Sequence, residues 1–222
     1  MPTPAGPATP GVAERIAQQT LAPRGAEYAD EVRRLLDAGL EVMRRGGTER
    51  RPRVADIVAE AGLSNDAFYR HFPSKDALVT AILEDGAERL SSYLSHQMAK
   101  AATPQDQVRR WVDGVLAQAD ASIAATTLAV LWNGGSVGGG VGAGRHFAAA
   151  PLALLLHAPF AALGSTDPAL HAALATHATL GILSDHLWAG TQPTGDELDA
   201  ITAFCLRAAG APRALDGLRA DP

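Results

Sequence analysis

Apolar residues begin to recur at steps of three and four near Ala26. Val32, Leu35, Leu36, Leu40 and Met43 fall on one side of a helix, and Arg33, Arg34, Glu41 and Arg44 fall on the other. Gly46-Gly47 ends this helix. Arg50, Arg51 and Arg53 then surround Pro52, whose fixed φ suits the first turn of a following helix. That second helix, Arg53 to Ala61, buries Val54, Ile57, Val58 and Ala61. Gly62-Leu63-Ser64 reads as a turn: glycine permits a positive φ, leucine plugs the core and serine caps what comes next. A third, two-turn helix spans Asn65 to Phe72 with Phe68 and Phe72 inward. Ser74 caps a fourth, which continues through Leu78, Ile82, Leu90 and Leu94 toward Lys100.

The pattern stays helical to the end of the chain. Thr103-Pro104 opens a fifth helix to about Ala119, and a sixth covers roughly 121–132. Asn133 to Gly144 holds seven glycines in twelve positions and reads as a loop. Three more helices follow at about 145–163, 167–189 and 194–209. No alternating strand pattern occurs. The expected fold is all-α with about nine helices: an N-terminal three-helix domain containing a helix-turn-helix, then a C-terminal helical domain. The boundaries expected are a flexible N-terminal arm at 1–25, a DNA-binding domain at 26–80 with its helix-turn-helix at about 53–72, and a ligand-binding and dimerisation domain at 81–222.

Composition sharpens this division. The chain has 222 residues, 47% hydrophobic and 19% charged, with a formal net charge of −5. That balance excludes a protein that holds nucleic acid by global charge, but a local reading surface needs only a few placed cations. From Ala26 to Ile82 there are nine Lys or Arg against ten Asp or Glu, whereas Gly114 to Ser184 carries only Asp120, Arg145 and Asp167. The apolar run from His146 to Thr166 is broken by Pro151 and Pro159 and is rich in alanine, so it reads as buried helix and not as a membrane span. Residues 1–25 hold five prolines and no basic-then-apolar leader, which points to a cytoplasmic protein with no membrane partner. A single cysteine, Cys205, allows neither an internal disulfide nor a cysteine zinc site, and its helical surroundings make it a buried structural thiol.

Two short helices joined by Ala61-Gly62-Leu63-Ser64 and packed on an amphipathic helix suit major-groove insertion of the second helix. The longer string resembles the TetR family of transcriptional regulators. The likeness is carried by Leu35-Leu36-Asp37-Ala38, Val54-Ala55-Asp56-Ile57, Glu60-Ala61-Gly62-Leu63-Ser64, Ala67-Phe68-Tyr69-Arg70-His71-Phe72 and Pro73-Ser74-Lys75-Asp76-Ala77-Leu78. It spans about 50 residues; beyond them only length, helix count and apolar composition match. The resemblance implies a homodimer on a double-stranded DNA operator, pairing through its last two long helices and released by a small apolar effector, most simply as a repressor. It places Ser64, Asn65, Asp66, Ala67 and Arg70 toward base edges or the adjacent backbone, and Tyr69, His71 and Lys75 toward phosphate. Arg53 is a further phosphate candidate at the start of the second helix. Arg70 suits guanine and Asn65 adenine. Asn65-Asp66 stands where the family often has Lys or Arg followed by Gly, and Asp66 reads as a helix cap or an acceptor from cytosine. Arg51-Pro52-Arg53 replaces the usual threonine cap.

Other features are weighed against plainer roles. Trp111, Trp132, Phe147, Phe160 and Trp188, with His157 and His177, suit a hydrophobic ligand pocket or plain core. Leu170, Leu174, Leu180, Leu183 and Leu187, with Ile201 and Phe204, form the expected dimer seam. His171, His177 and His186 lack the spacing of metal ligands, so no metal is expected. The glycine-rich stretch lacks a phosphate-binding register, so no cofactor is expected either. No catalytic constellation is visible, and the chain does not read as an enzyme. An activator of the same fold, or a helical carrier with weak or lost DNA binding, are the alternatives.

Overall fold

A computed structural model describes the backbone at residues 12–134 and 143–210, and side chains at 26–134 and 149–210. Among these residues there are nine α-helices and no strands: α1 Val12–Gly46, α2 Val54–Ala61, α3 Asn65–His71, α4 Lys75–Met98, α5 Pro104–Leu116, α6 Ala124–Gly134, α7 Ala143–Ala162, α8 Pro168–Ala189 and α9 Gly195–Gly210. A 3-10 turn, Ala117–Ala119, follows α5. The expected all-α architecture is what the chain adopts.

Most helix starts are set by the residues the pattern singles out. Ser74 and Thr103 accept from backbone N–H groups of the first turns of α4 and α5, and Asp167 does so for α8. Proline occupies the first position of both α5 and α8, where its missing N–H costs nothing. Before α9, Thr194 and Glu197 exchange hydrogen bonds as a capping box. Two boundaries differ from expectation. Residues 12–25 continue α1 backward, where prolines predict a flexible arm; between Pro10 and Pro23 the chain is mostly Ala, Glu, Gln, Leu and Arg, good helix formers. Pro52 lies just outside α2, with Arg53 as N-cap making no side-chain cap bond. Most of the glycine-rich loop, 135–142, lies outside the described residues.

Two apolar cores share one rod. Leu35, Met43, Ile57, Phe68, Phe72 and Leu78 centre the first, formed by α1, α2, α3 and the start of α4. Trp111, Val112, Leu152, Leu156, Phe160 and Leu183 centre the second, formed by α5, α7, α8 and α9 with the far end of α4. The 24 residues of α4 span about 36 Å and so bridge both cores. Neighbouring helices approach it closely: a Cβ on Gly39 of α1 or Gly134 of α6 would lie 2.7 and 2.6 Å from the side chains of Ile82 and Leu83. No single helix among the described residues is long and apolar enough to cross a membrane.

Candidate nucleic-acid interface and ligand cavity

The geometry of the turn follows from three residues. Gly62 has φ 63° and ψ 37°, a left-handed conformation that L side chains rarely take, and it closes α2. Leu63 then donates its N–H to Val58 O at 2.9 Å, and its side chain packs against the first core. Ser64 Oγ accepts from Ala67 N–H at 3.1 Å and starts α3. A fourth residue, absent from the sequence reading, locks the turn from outside. Arg34 of α1 donates from Nε and Nη2 to Ala61 O at 3.1 and 2.6 Å, and from Nη2 to Gly62 O at 3.2 Å. The pattern placed Arg34 on the solvent side of α1. Its guanidinium instead satisfies the carbonyls that end α2, groups a helix leaves unpaired.

The short helix α3 divides cleanly. Phe68 is fully buried, and Ser64, Asn65, Asp66, Tyr69 and Arg70 face solvent, Tyr69 with 58% of its surface. Two expected contact residues do not lie on that face. Ala67 is buried, only 6% exposed. The His71 side chain is fully buried, its ring edge-on to Tyr28 with centroids 4.2 Å apart. His71 Nε2 lies 2.6 Å from Glu31 Oε2, and the same oxygen accepts from Arg70 Nη2 at 2.8 Å. The hydrogen bond from His71 chiefly, with Arg70 adding to it, holds the Glu31 carboxyl below its ordinary range against the opposing cost of desolvation. Tyr28, Glu31 and Arg34 thus form a three-residue-spaced polar stripe on α1 that grips α3 and the turn.

The remaining cations are mostly engaged. Arg53 is bidentate on Asp56 at 2.9 and 3.0 Å and remains largely exposed. Arg44 pairs with Glu41 at 2.7 Å, Arg45 pairs with Glu60 of α2, and the Arg51 guanidinium lies 5.3 Å from the Trp132 ring centre. Lys75 is half-buried at the first position of α4. Asp66 stands in the first turn of α3, where a negative charge suits the helix dipole, but the capping is done by Ser64.

A cavity of about 220 Å3 lies between the two cores. Its walls are Leu36 and Leu40 of α1, Ile82, Leu83 and Leu90 of α4, Val130 and Leu131 of α6, and Leu180 and Leu183 of α8. Among the described residues, none of the expected ligand residues lines it. Trp111 is core, donating Nε1–H to Leu152 O at 3.0 Å, and Phe160 is fully buried beside it. Trp132 turns toward Arg51, His157 is half-buried away from the cavity lining, and His177 and Trp188 are exposed. The Phe147 side chain lies outside the described residues. What the sequence reading missed is that α1, an element of the N-terminal domain, forms one wall. The leucines at 36 and 40 sit on its core-facing arc but reach the gap between cores, a distinction periodicity does not encode.

The expected dimer seam also splits. Leu180, Leu183 and Leu187 are buried in the protomer's own second core, so they are not free to pair with a second chain. Leu170 and Leu174 are 53% and 55% exposed, Phe204 of α9 is exposed and Ile201 half-buried. Trp188, 57% exposed, joins their side of the molecule from the end of α8. Cys205 is fully buried near Thr179, as its helical setting predicts, and burial pushes its thiol up to about 11.

Comparison with known proteins agrees with this geometry. Residues 35–82 match the family model described as bacterial regulatory proteins, tetR family. A search of curated proteins gives no match. Among solved structures, a protein of Mesorhizobium loti MAFF303099 described as a TetR-family transcriptional regulator is 15% identical with a TM-score of 0.62, over 82% of this chain and 96% of that one. E. coli NemR in its reduced form is 16% identical with a TM-score of 0.60, over 82% and 99%. The fatty acid degradation regulator FadR from Bacillus halodurans is 15% identical with a TM-score of 0.58, over 81% and 98%. The chain therefore carries the N-terminal domain of the tetR family of bacterial regulatory proteins, at residues 35–82, on the all-helical fold shared with these transcriptional regulators.

Proposed function

We propose that the protein is a ligand-responsive transcriptional repressor that binds a palindromic operator as a homodimer and leaves it when a small effector occupies the cavity. The observation that carries this reading is α3. A seven-residue helix is capped, angled and gripped so that Asn65, Asp66, Tyr69 and Arg70 stand together in solvent. Side chains of that kind at the front of a recognition helix suit base edges and phosphates. The cavity supports the second half of the reading, because one occupant touches α1 of the DNA-binding domain and α6 and α8 of the other core at once. The exposed Leu170, Leu174, Trp188 and Phe204 support pairing through α8 and α9. The domain boundaries expected from the sequence, with DNA reading confined to 26–80, belong to the same proposal.

The test is fluorescence polarisation of the full chain on duplexes tiling promoter DNA, across a salt series. The expected result is a two-fold symmetric site whose affinity falls steeply with salt, since each half-site uses several phosphate contacts. Absence of any such site at low salt overturns the reading. One observation favours a second, a ligand carrier with little DNA binding: Glu31 already occupies Arg70, and Asp66 adds a further negative charge to the same helix.

A further inference from the structure

The cavity is apolar along its walls but not at its rim. Among the described residues, the charged ones lining it are Asp37 of α1 and Asp85 and Arg89 of α4. Arg89 Nε lies 2.9 Å from Asp85, so that pair is internally neutral. Asp37 is exposed and makes no ion pair or hydrogen bond among the described residues. Among the described residues, Asp37 therefore stands without a charged partner at the edge of a chamber walled by leucine, isoleucine and valine. Gln118, Thr126, Thr127 and Ser184 add oxygen acceptors from α6, α8 and the turn after α5.

We propose that this cavity binds a small amphiphilic cation, with an apolar body between the cores and an ammonium-type head on Asp37. The proposal rests on the reading of the cavity as the effector site and corrects its chemistry, since the sequence alone suggests a purely apolar effector. A neutral hydrocarbon would fill the walls but leave Asp37 unpaired, and an organic anion would meet its charge. A cation satisfies both surfaces. At about 220 Å3 the space is below the roughly 300–1,000 Å3 of drug-sized sites, so the body is small. Placement on α1 also ties occupancy to DNA reading. Asp37 lies six residues, about 9 Å, along the helix from Glu31 and three from Arg34, the residues that hold α3 and the turn. Drawing Asp37 toward a bound head group moves the same rod that grips the recognition helix.

The experiment is isothermal titration of the DNA-free full chain with three probes sharing one body: 4-tert-butylbenzylammonium, 4-tert-butylbenzyl alcohol and 4-tert-butylbenzoate. The ammonium is expected to bind tightest, by about threefold or more over the alcohol, the scale of one partly exposed ion pair. Asp37→Asn, on an exposed helix position, is expected to erase that preference while leaving the affinity for the alcohol and the melting curve unchanged. Equal or tighter binding of the alcohol or benzoate, a preference that survives Asp37→Asn, or no binding by any probe would overturn the proposal. Operator binding is measured separately. Its absence alongside an intact ammonium preference would sink the regulatory reading and leave this site standing.

Discussion

Glu31 gives one oxygen to two partners, and that arrangement decides what Arg70 can do. Its guanidinium is held by a carboxylate of α1, so reaching DNA requires exchanging Glu31 for guanine or phosphate. His71 stays behind in either case, because its side chain is buried against α1. Replacing Glu31 with Gln removes the competing charge and frees Arg70 for DNA. The slope of log affinity against log salt is expected to steepen by about 0.9, the signature of one further phosphate contact, in polarisation assays on a single duplex. An unchanged slope would mean that Glu31 does not decide whether Arg70 reaches a phosphate. The same substitution has a pH signature. Because the folded-state pKa of Glu31 is depressed, its stabilising contribution is present above the ordinary carboxylate value, about 4.3, and is lost as pH falls through the lower folded value. The acid loss of melting temperature should therefore be shallower in Glu31→Gln than in the parent, and parallel profiles would contradict the contact.

At the scale of elements, the helix count and most starts were legible because they depend on local chemistry: Ser64, Ser74, Thr103 and Asp167 cap, Pro104 and Pro168 open, Gly62 turns. What was not legible depends on neighbours distant in sequence. Arg34 looks like an ordinary exposed cation until α2 ends beside it, 27 residues later. Trp132 looks like a pocket aromatic until Arg51 lies over it. A helical period separates inside from outside, but it cannot say which inside a residue reaches, which is why the leucines that line the cavity do not stand out in the sequence. The local signals carry their own prediction. With only seven residues, α3 cannot persist without its cap and packing. Ser64→Ala should cost about 1 kcal/mol in urea unfolding, the usual loss of a serine N-cap. It should also weaken DNA binding on all sequences alike, since it loosens the helix rather than any base contact. A loss of DNA affinity with unchanged urea stability would place Ser64 on the DNA instead.

The whole molecule raises the question of which leucines face a second copy. All five at 170, 174, 180, 183 and 187 share a spacing that fits a seam, yet burial divides them into two sets with opposite roles. Leu180, Leu183 and Leu187 fill the protomer's own core against α5, α7 and α9, so truncating one leaves a void. Leu183→Ala should cost about 2–5 kcal/mol, read by urea unfolding of the chain. Leu174 stands more than half exposed on the opposite arc of α8, in line with Leu170 one turn before it. A large apolar patch in that position is what a pairing surface leaves uncovered in a single chain. Leu174→Glu places a charge at the seam without disturbing a contact inside the protomer, so it should leave intrinsic protomer stability within about 0.5 kcal/mol. The association it blocks is visible in sedimentation velocity, where the parent is expected as a dimer at micromolar concentration and Leu174→Glu as a monomer. Operator affinity should fall with it, because two half-sites read by one linked pair become two independent, weaker events. A parent that sediments as a monomer, or a Leu174→Glu chain that stays dimeric, would move the interface away from this face of α8, and the half-site geometry of the operator would have to be rebuilt from whichever surface pairs instead.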